Sequence, residues 1–142
     1  LTRESEPYCD NEAKIIYCKY LTQRTLRAGE FPLTNTSIEE IHLHRGELQY
    51  LSSDTFVNMS NLKVLQLGDN SIYRIHPSAF SRLTSLIILN LSDNYIEFNF
   101  VNNDLFSNLS KLEELNLSSN RIKYFDPELF KVLKSVKEIK FV

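Results

Sequence analysis

A chain of 142 residues, 42% of them apolar, is long enough to bury one core, and its formal charge of -2 without a Lys/Arg cluster argues against a nucleic-acid partner. No apolar run approaches the ~18 residues of a membrane span, and no basic segment precedes an apolar one as in a signal peptide. Only Gly29, Gly46 and Gly68 are glycine, which excludes a glycine-rich phosphate loop, and G-x-S-x-G, H-E-x-x-H and C-x-x-C are absent, so neither enzymatic activity nor a cofactor is expected.

Residues 1–37 are expected to cap whatever follows. Residues 1–8 are polar. Cys9 and Cys18 are the only cysteines, and Lys14-Ile15-Ile16-Tyr17-Cys18 between them is patterned as a strand that folds back on Cys9. A disulfide-closed hairpin over the first coil is one reading, a pair of free thiols the other. Ile15, Ile16, Tyr17, Leu21, Leu26 and Phe31 then supply apolar cover for a coil without an upstream neighbour.

From residue 38 to 142 a single frame recurs. Residues 86–96, Leu86-Ile87-Ile88-Leu89-Asn90-Leu91-Ser92-Asp93-Asn94-Tyr95-Ile96, match L-x-x-L-x-L-x-x-N-x-L with Ile in the last apolar place. Copies start at Ile38, where Gly46 takes the Asn place, at Leu62 and Leu112, and a partial one starts at Val136; the periods are 24, 24, 26 and 24 residues. The frame predicts an α/β solenoid, a leucine-rich-repeat horseshoe lined by a parallel concave sheet. In a strand Leu86, Leu89 and Leu91 point inward while Ile88, Asn90 and Ser92 alternate outward. The column Asn70, Asn94 and Asn120 is expected to turn inward and satisfy backbone groups of the neighbouring coil, with Gly46 starting the ladder.

The return segments carry further columns: Leu48, Ile72, Ile96 and Ile122; Leu51, Ile75 and Phe125; Phe56, Phe80, Phe106 and Phe130; Met59, Leu83, Leu109 and Leu133. These are core positions. Ser52, His76, Asn102 and Asp126 stand four residues before each Phe, two of them followed by proline, as caps of a short helical turn. His76 is thus a cap residue and not a catalytic one. The third repeat has two extra residues, which leave Phe98 and Phe100 in an apolar bulge ahead of Val101, either folded onto the core or exposed as a contact site.

The concave face reads Glu40, His42, His44; Val64, Gln66, Gly68; Ile88, Asn90, Ser92; Glu114, Asn116, Ser118; Glu138, Lys140, Val142. Glu40, His42 and His44 on one strand resemble part of a zinc site, but Val64, Gln66 and Gly68 add no good ligand, so no metal is expected. Val64 and Ile88 form a small apolar spot flanked by Ile87 and Asp93, on a face without aromatics. With Glu114, Phe98 and Phe100 these are the candidate ligand contacts. Asn35, Asn58, Asn90, Asn108 and Asn116 head N-x-S/T sequons, which together with the cysteine pair point to a secreted or cell-surface glycoprotein.

Residues 9–142 resemble the N-terminal cap and first repeats of extracellular leucine-rich-repeat proteins of the 24-residue class, a group that includes Toll-like receptors, Slit-type guidance proteins and variable lymphocyte receptors. The resemblance implies a recognition module that binds a protein or pathogen-derived ligand in innate immunity or cell adhesion. The alternative is a structural segment of a longer solenoid that associates with other protomers. Two cysteines replace the four common in such caps, and no cysteine-rich C-terminal cap follows. Because the fifth strand opens at Val136 and the chain stops at Val142, Phe130, Leu133, Val136, Ile139 and Phe141 are expected to form a partly bare edge, covered either by further repeats or by a second copy in a homodimer.

Overall fold

The computed structural model describes residues 7–30, 32–97, 104–124 and 126–142. Phe31, Phe98, Phe100, Val101, Asn102 and Phe125, and the side chain of Leu129, lie outside the described residues. In chain order the elements are β1 (Tyr8–Glu12), β2 (Ile15–Lys19), β3 (Glu40–His44), β4 (Tyr50–Leu51), β5 (Val64–Gln66), β6 (Arg74–Ile75), β7 (Ile88–Asn90), β8 (Glu114–Asn116), α1 (Glu128–Lys131) and β9 (Glu138–Lys140). One seven-stranded sheet runs β1-β2-β3-β5-β7-β8-β9, and β4 with β6 makes a second, two-stranded one.

The repeat period sets the register of this sheet. Glu40 pairs with Val64, Val64 with Ile88, Ile88 with Glu114 and Glu114 with Glu138, all parallel, so equivalent frame positions lie side by side. Inward alternation then stacks Ile41, Leu65, Leu89 and Leu115, each at most 1% exposed. On the convex side Phe56, Phe80 and Phe106 stack with ring centroids 6.4 Å apart at each step. Met59, Leu83, Leu109 and Leu133 are buried beside them.

The return arms are mostly turns. Among the described residues the only regular helix is α1, at whose start Glu128 N donates to Asp126 Oδ1 at 2.9 Å, and in the second repeat Ser78 N donates to His76 Nδ1 at 3.0 Å. Asp126 and His76 thus each accept the N–H two residues on, at the start of the turn that follows.

The asparagine column forms the expected ladder. The Nδ2 groups of Asn70, Asn94 and Asn120 donate to the carbonyls of Leu43, Leu67 and Leu91 in the preceding coils, at 2.8, 3.0 and 2.8 Å. Asn94 and Asn120 also accept from Ile72 N and Ile96 N, both at 2.9 Å. The residue before each column position holds a positive φ: Arg45, Asp69, Asp93 and Ser119 lie between 50° and 60°. Aspartate tolerates this left-handed conformation better than most side chains.

At the N-terminus Cys9 and Cys18 form the disulfide across the β1–β2 hairpin, where they are direct partners. β2 then pairs in parallel with β3, Ile15 opposite Glu40 and Tyr17 opposite His42. The cap is thus an added strand of the concave sheet as well as a cover for its first coil. Thr55 Oγ1, fully buried, donates to Leu26 O at 2.8 Å and ties the first return arm to the cap. Among the described residues no helix is long and apolar enough to cross a membrane.

Candidate functional site

The outward side chains of the concave sheet form rows across the strands. The first row is Ile15, Glu40, Val64, Ile88, Glu114 and Glu138. The second is Tyr17, His42, Gln66, Asn90, Asn116 and Lys140. Val64 and Ile88 are neighbours, as expected, and both are half-buried.

The expectation of a face without aromatics is corrected at its N-terminal end. Tyr17, His42 and His44 stand with ring centroids 6.1 Å apart in each pair, and Lys19 Nζ lies 5.6 Å from the Tyr17 ring. His42 Nε2 is 3.0 Å from Glu40 Oε2. Burial is the main cause that holds the His44 imidazole below its ordinary pKa, and His42 and Lys19 add to it. Sequence reading missed Tyr17 because the cap lacks the leucine frame. The signal lay in the alternation of outward Ile15, Tyr17 and Lys19 with buried Ile16 and Cys18. The cluster presents an aromatic surface with donors and acceptors on its rim. Among the described residues no three His, Cys, Asp or Glu side chains converge on a possible metal position.

Further along the face, Gln66, Ile88, Asn90, Glu114, Asn116 and Lys140 line a shallow depression of about 90 Å³. Gly68 and Ser92, expected to face solvent there, are buried; a Cβ on Gly68 would sit 3.2 Å from Ser92 Oγ, so the two coils close on each other at this point. Asp93 is exposed and occupies the left-handed turn, which accounts for it without a ligand.

The column just before each strand is a charge ladder with one gap. Glu39 bridges Lys14 at 2.7 Å and Lys63 at 2.9 Å, and Glu113 pairs with Lys137 at 2.9 Å. Between these two groups stands Ile87, half-buried and joined to the Val64–Ile88 spot.

Among the sequons, Asn35, Asn58 and Asn108 are exposed, and Asn108 Nδ2 donates to Ser81 O at 2.9 Å. Asn90 and Asn116 are half-buried on the concave face, where their Oδ1 atoms accept from Ser92 N at 2.9 Å and Ser118 N at 3.0 Å. At the other end of the solenoid Leu133 is buried, while Phe130, Val136 and Ile139 are half-buried against the core. Phe141 is 37% exposed and meets Phe130 edge-on with centroids 5.7 Å apart.

The described architecture agrees with known proteins. Over 59 residues the chain is 42% identical to leucine-rich repeat-containing G-protein coupled receptor 5 of Rattus norvegicus, a match that covers 42% of this chain and 6% of that protein. Over 72 residues it is 36% identical to Toll-like receptor 5 of Homo sapiens, covering 48% of this chain and 8% of the receptor. The chain thus spans less than a tenth of the length of either receptor. Its fold is similar to that in the crystal structure of a TLR13–ssRNA13 complex, with a TM-score of 0.63 and 26% identity over 88% of this chain and 21% of that one. The "Leucine rich repeat" family matches residues 36–96 and 97–140. With the asparagine ladder, the in-register parallel strands and the phenylalanine stack all in their frame positions, the chain belongs to the leucine-rich-repeat family.

Proposed function

We propose that the chain is a ligand-recognition segment of a secreted or cell-surface glycoprotein, which binds a protein or pathogen-derived ligand on its concave sheet and performs no chemistry on it. The observation that carries this reading is the composition of that face. An apolar centre, Val64 with Ile87 and Ile88, lies between the Tyr17–His42–His44 cluster and the polar depression at Asn90, which is the anchor-and-rim layout of protein recognition sites. The charges there are mixed: Glu40, Glu114 and Glu138 against Lys19 and Lys140. A phosphate backbone would require a basic stripe instead, so a protein surface is the better complement. The similarity to Toll-like receptors supports recognition in innate immunity, and the disulfide supports an oxidising compartment.

A photo-cross-linking amino acid placed at His42, Val64 or Glu114 tests this on cells or in extracellular fluid, with Val57 and Ser107 in the return turns as controls. All three concave positions are expected to capture one common species that the controls do not. Capture from Val57 and Ser107 alone would overturn the concave site.

A further inference from the structure

Strands β7, β8 and β9 carry two rows of opposite hydrogen-bonding character past the shallow depression. Asn90, Asn116 and Lys140 are register partners in one row, and Ile88, Glu114 and Glu138 in the other. All six line the depression. Neighbouring strands lie about 4.8 Å apart and alternate residues of one strand about 7 Å apart, so the six side chains form a grid of about 7 by about 10 Å. That is the footprint of one six-membered ring with its substituents.

The two amides are held in one orientation. A backbone N–H can be accepted only by the amide oxygen, so Ser92 N on Asn90 Oδ1 at 2.9 Å and Ser118 N on Asn116 Oδ1 at 3.0 Å leave each Nδ2 to donate elsewhere. Ser118 Oγ holds the same Asn116 oxygen at 2.6 Å. Among the described residues neither Nδ2 donates a hydrogen bond, and exposed Glu114 joins no ion pair. Glu138 and Lys140 meet at 3.6 Å. Donors already aligned thus stand beside acceptors already aligned, with Ile88 as an apolar lip.

This pattern decides among ligand classes. A cation would use Glu114 and Glu138 but meet two amide donors and the Lys140 ammonium, and an anion would use that donor row but meet two carboxylates. A hydroxyl group both donates and accepts, so adjacent hydroxyls on one ring satisfy the two rows at once. We propose that the depression is a saccharide subsite that takes one pyranose residue of a glycan. Glu114 and Glu138 accept from neighbouring hydroxyls, the Nδ2 groups of Asn90 and Asn116 donate to hydroxyl oxygens, and the C–H face of the ring rests on Ile88. The proposal rests on the concave recognition site above and names a component of its ligand, a sugar displayed on the protein or pathogen surface. It applies to chains in which Asn90 and Asn116 bear no glycan of their own, since such a glycan would take up the same Nδ2 atoms. A site this shallow holds a single sugar residue weakly, with a Kd on the order of 1–10 mM.

The test uses the full chain, isotope-labelled, with its disulfide formed and made in a host that adds no N-glycans. Methyl α-mannopyranoside, methyl β-galactopyranoside and methyl β-N-acetylglucosaminide are titrated to about 50 mM while NMR follows the side-chain amide signals of Asn90 and Asn116. At least one glycoside is expected to shift both signals saturably. Glu114→Ala should weaken that glycoside about tenfold, through loss of a charged acceptor. Asn116→Asp keeps the oxygen that Ser118 N needs but removes the donor, and should weaken binding by about as much, read at Asn90. Signals that no glycoside moves overturn the proposal, as does a response that either variant leaves unchanged. Nα-acetylarginine amide or acetate shifting the same signals where the glycosides do not would make this an ion site, and overturns it equally. Cross-linking from His42 and Val64 keeps the two readings apart. Capture there without a glycoside response overturns the saccharide subsite alone, and a glycoside response without capture supports the subsite and overturns the wider reading.

Discussion

A Cβ on Gly46 would stand 2.7 Å from Oδ1 of Asn70, too close for the two to coexist. Asn70 has no room to yield, because its Nδ2 is fixed by the carbonyls of Leu43, Leu67 and Gly68. Among the described residues the same buried Oδ1 has no hydrogen-bond partner, whereas the equivalent atoms of Asn94 and Asn120 accept a backbone N–H. The first coil therefore begins the ladder with an unfilled rung, and glycine is what the close approach requires. Gly46→Ala is expected to cost about 1–3 kcal/mol as an overpacked substitution. Asn94→Ala should cost more than Asn70→Ala, about 1–3 kcal/mol, since it leaves Ile72 N without its acceptor, whereas among the described residues Asn70 Oδ1 accepts from none. Urea-denaturation midpoints of the three variants give the order, and an Asn70→Ala loss equal to that of Asn94→Ala would contradict it.

The Cys9–Cys18 bridge closes a loop with a sequence separation of 9, for which the chain-entropy account gives about 2–3 kcal/mol. β2 has β3 as its other neighbour, so the loss should be felt in the sheet and not only in the hairpin. Cys9→Ala is expected to lower the denaturation midpoint accordingly and to speed amide exchange in β1 and β2, while β7 and β8 keep their protection. Uniform loss of protection along the solenoid would show that the cap controls the whole structure instead.

How much of this was legible beforehand follows from where the leucine frame reaches. Inside the frame each position has one role, so the buried column through Leu65 and Leu89, the contact of Val64 with Ile88 and the ladder through Asn94 all follow from counting residues. The cap has no such frame. Ile15 lies opposite Glu40, a spacing of 25 that no repeated leucine announces, and hence Tyr17 came to lie beside His42 and His44 unforeseen. The inward turn of Ser92 escaped for a different reason. Strict alternation places it outward, but the chain bends toward the left-handed Asp93 and draws its hydroxyl against Gly68. Salt bridges such as Glu39 to Lys63 join residues a full coil apart, and become visible only once the register is known.

The His44 imidazole carries a pH prediction whose sign is fixed by burial. Its neighbours are His42 on the same strand, Lys19 on β2, Asp69 and the Gly68 backbone; the first two reinforce the effect of burial and the last two oppose it. The folded-state pKa lies below the unfolded value of 6.5, so the unfolded chain takes up the proton more readily. Stability is complete above about pH 6.5 and falls as the pH drops through the interval down to the folded-state pKa. His44→Gln should flatten this dependence, whatever it does to the midpoint itself. Denaturation midpoints at about pH 5 and about pH 7.5 measure the slope directly, and an unchanged slope in the variant would assign the acid sensitivity to another group.

Glycans are expected on Asn35 and Asn58, exposed and away from the sheet, and Asn90 has the consequence for function. Asn90 sits in the row between Gln66 and Asn116, immediately after Leu89 and beside Ile88, on the lip of the depression. Its Oδ1 is engaged by Ser92 N, and among the described residues its Nδ2 donates no hydrogen bond, so a sugar attached there would break no contact of the folded chain. A branched glycan would spread over Ile88 and reach Val64 one strand away, about 4.8 Å distant. A protein ligand cannot enter that space, so occupancy at Asn90 and ligand contact at the central strands exclude each other. Glycopeptide mapping of the protein expressed through a secretory pathway, combined with cross-linking from Val64, measures both at once. If Asn90 is occupied, capture from Val64 should be lost and Asn90→Gln should restore it; a fully glycosylated Asn90 together with undiminished capture from Val64 would refute the exclusion.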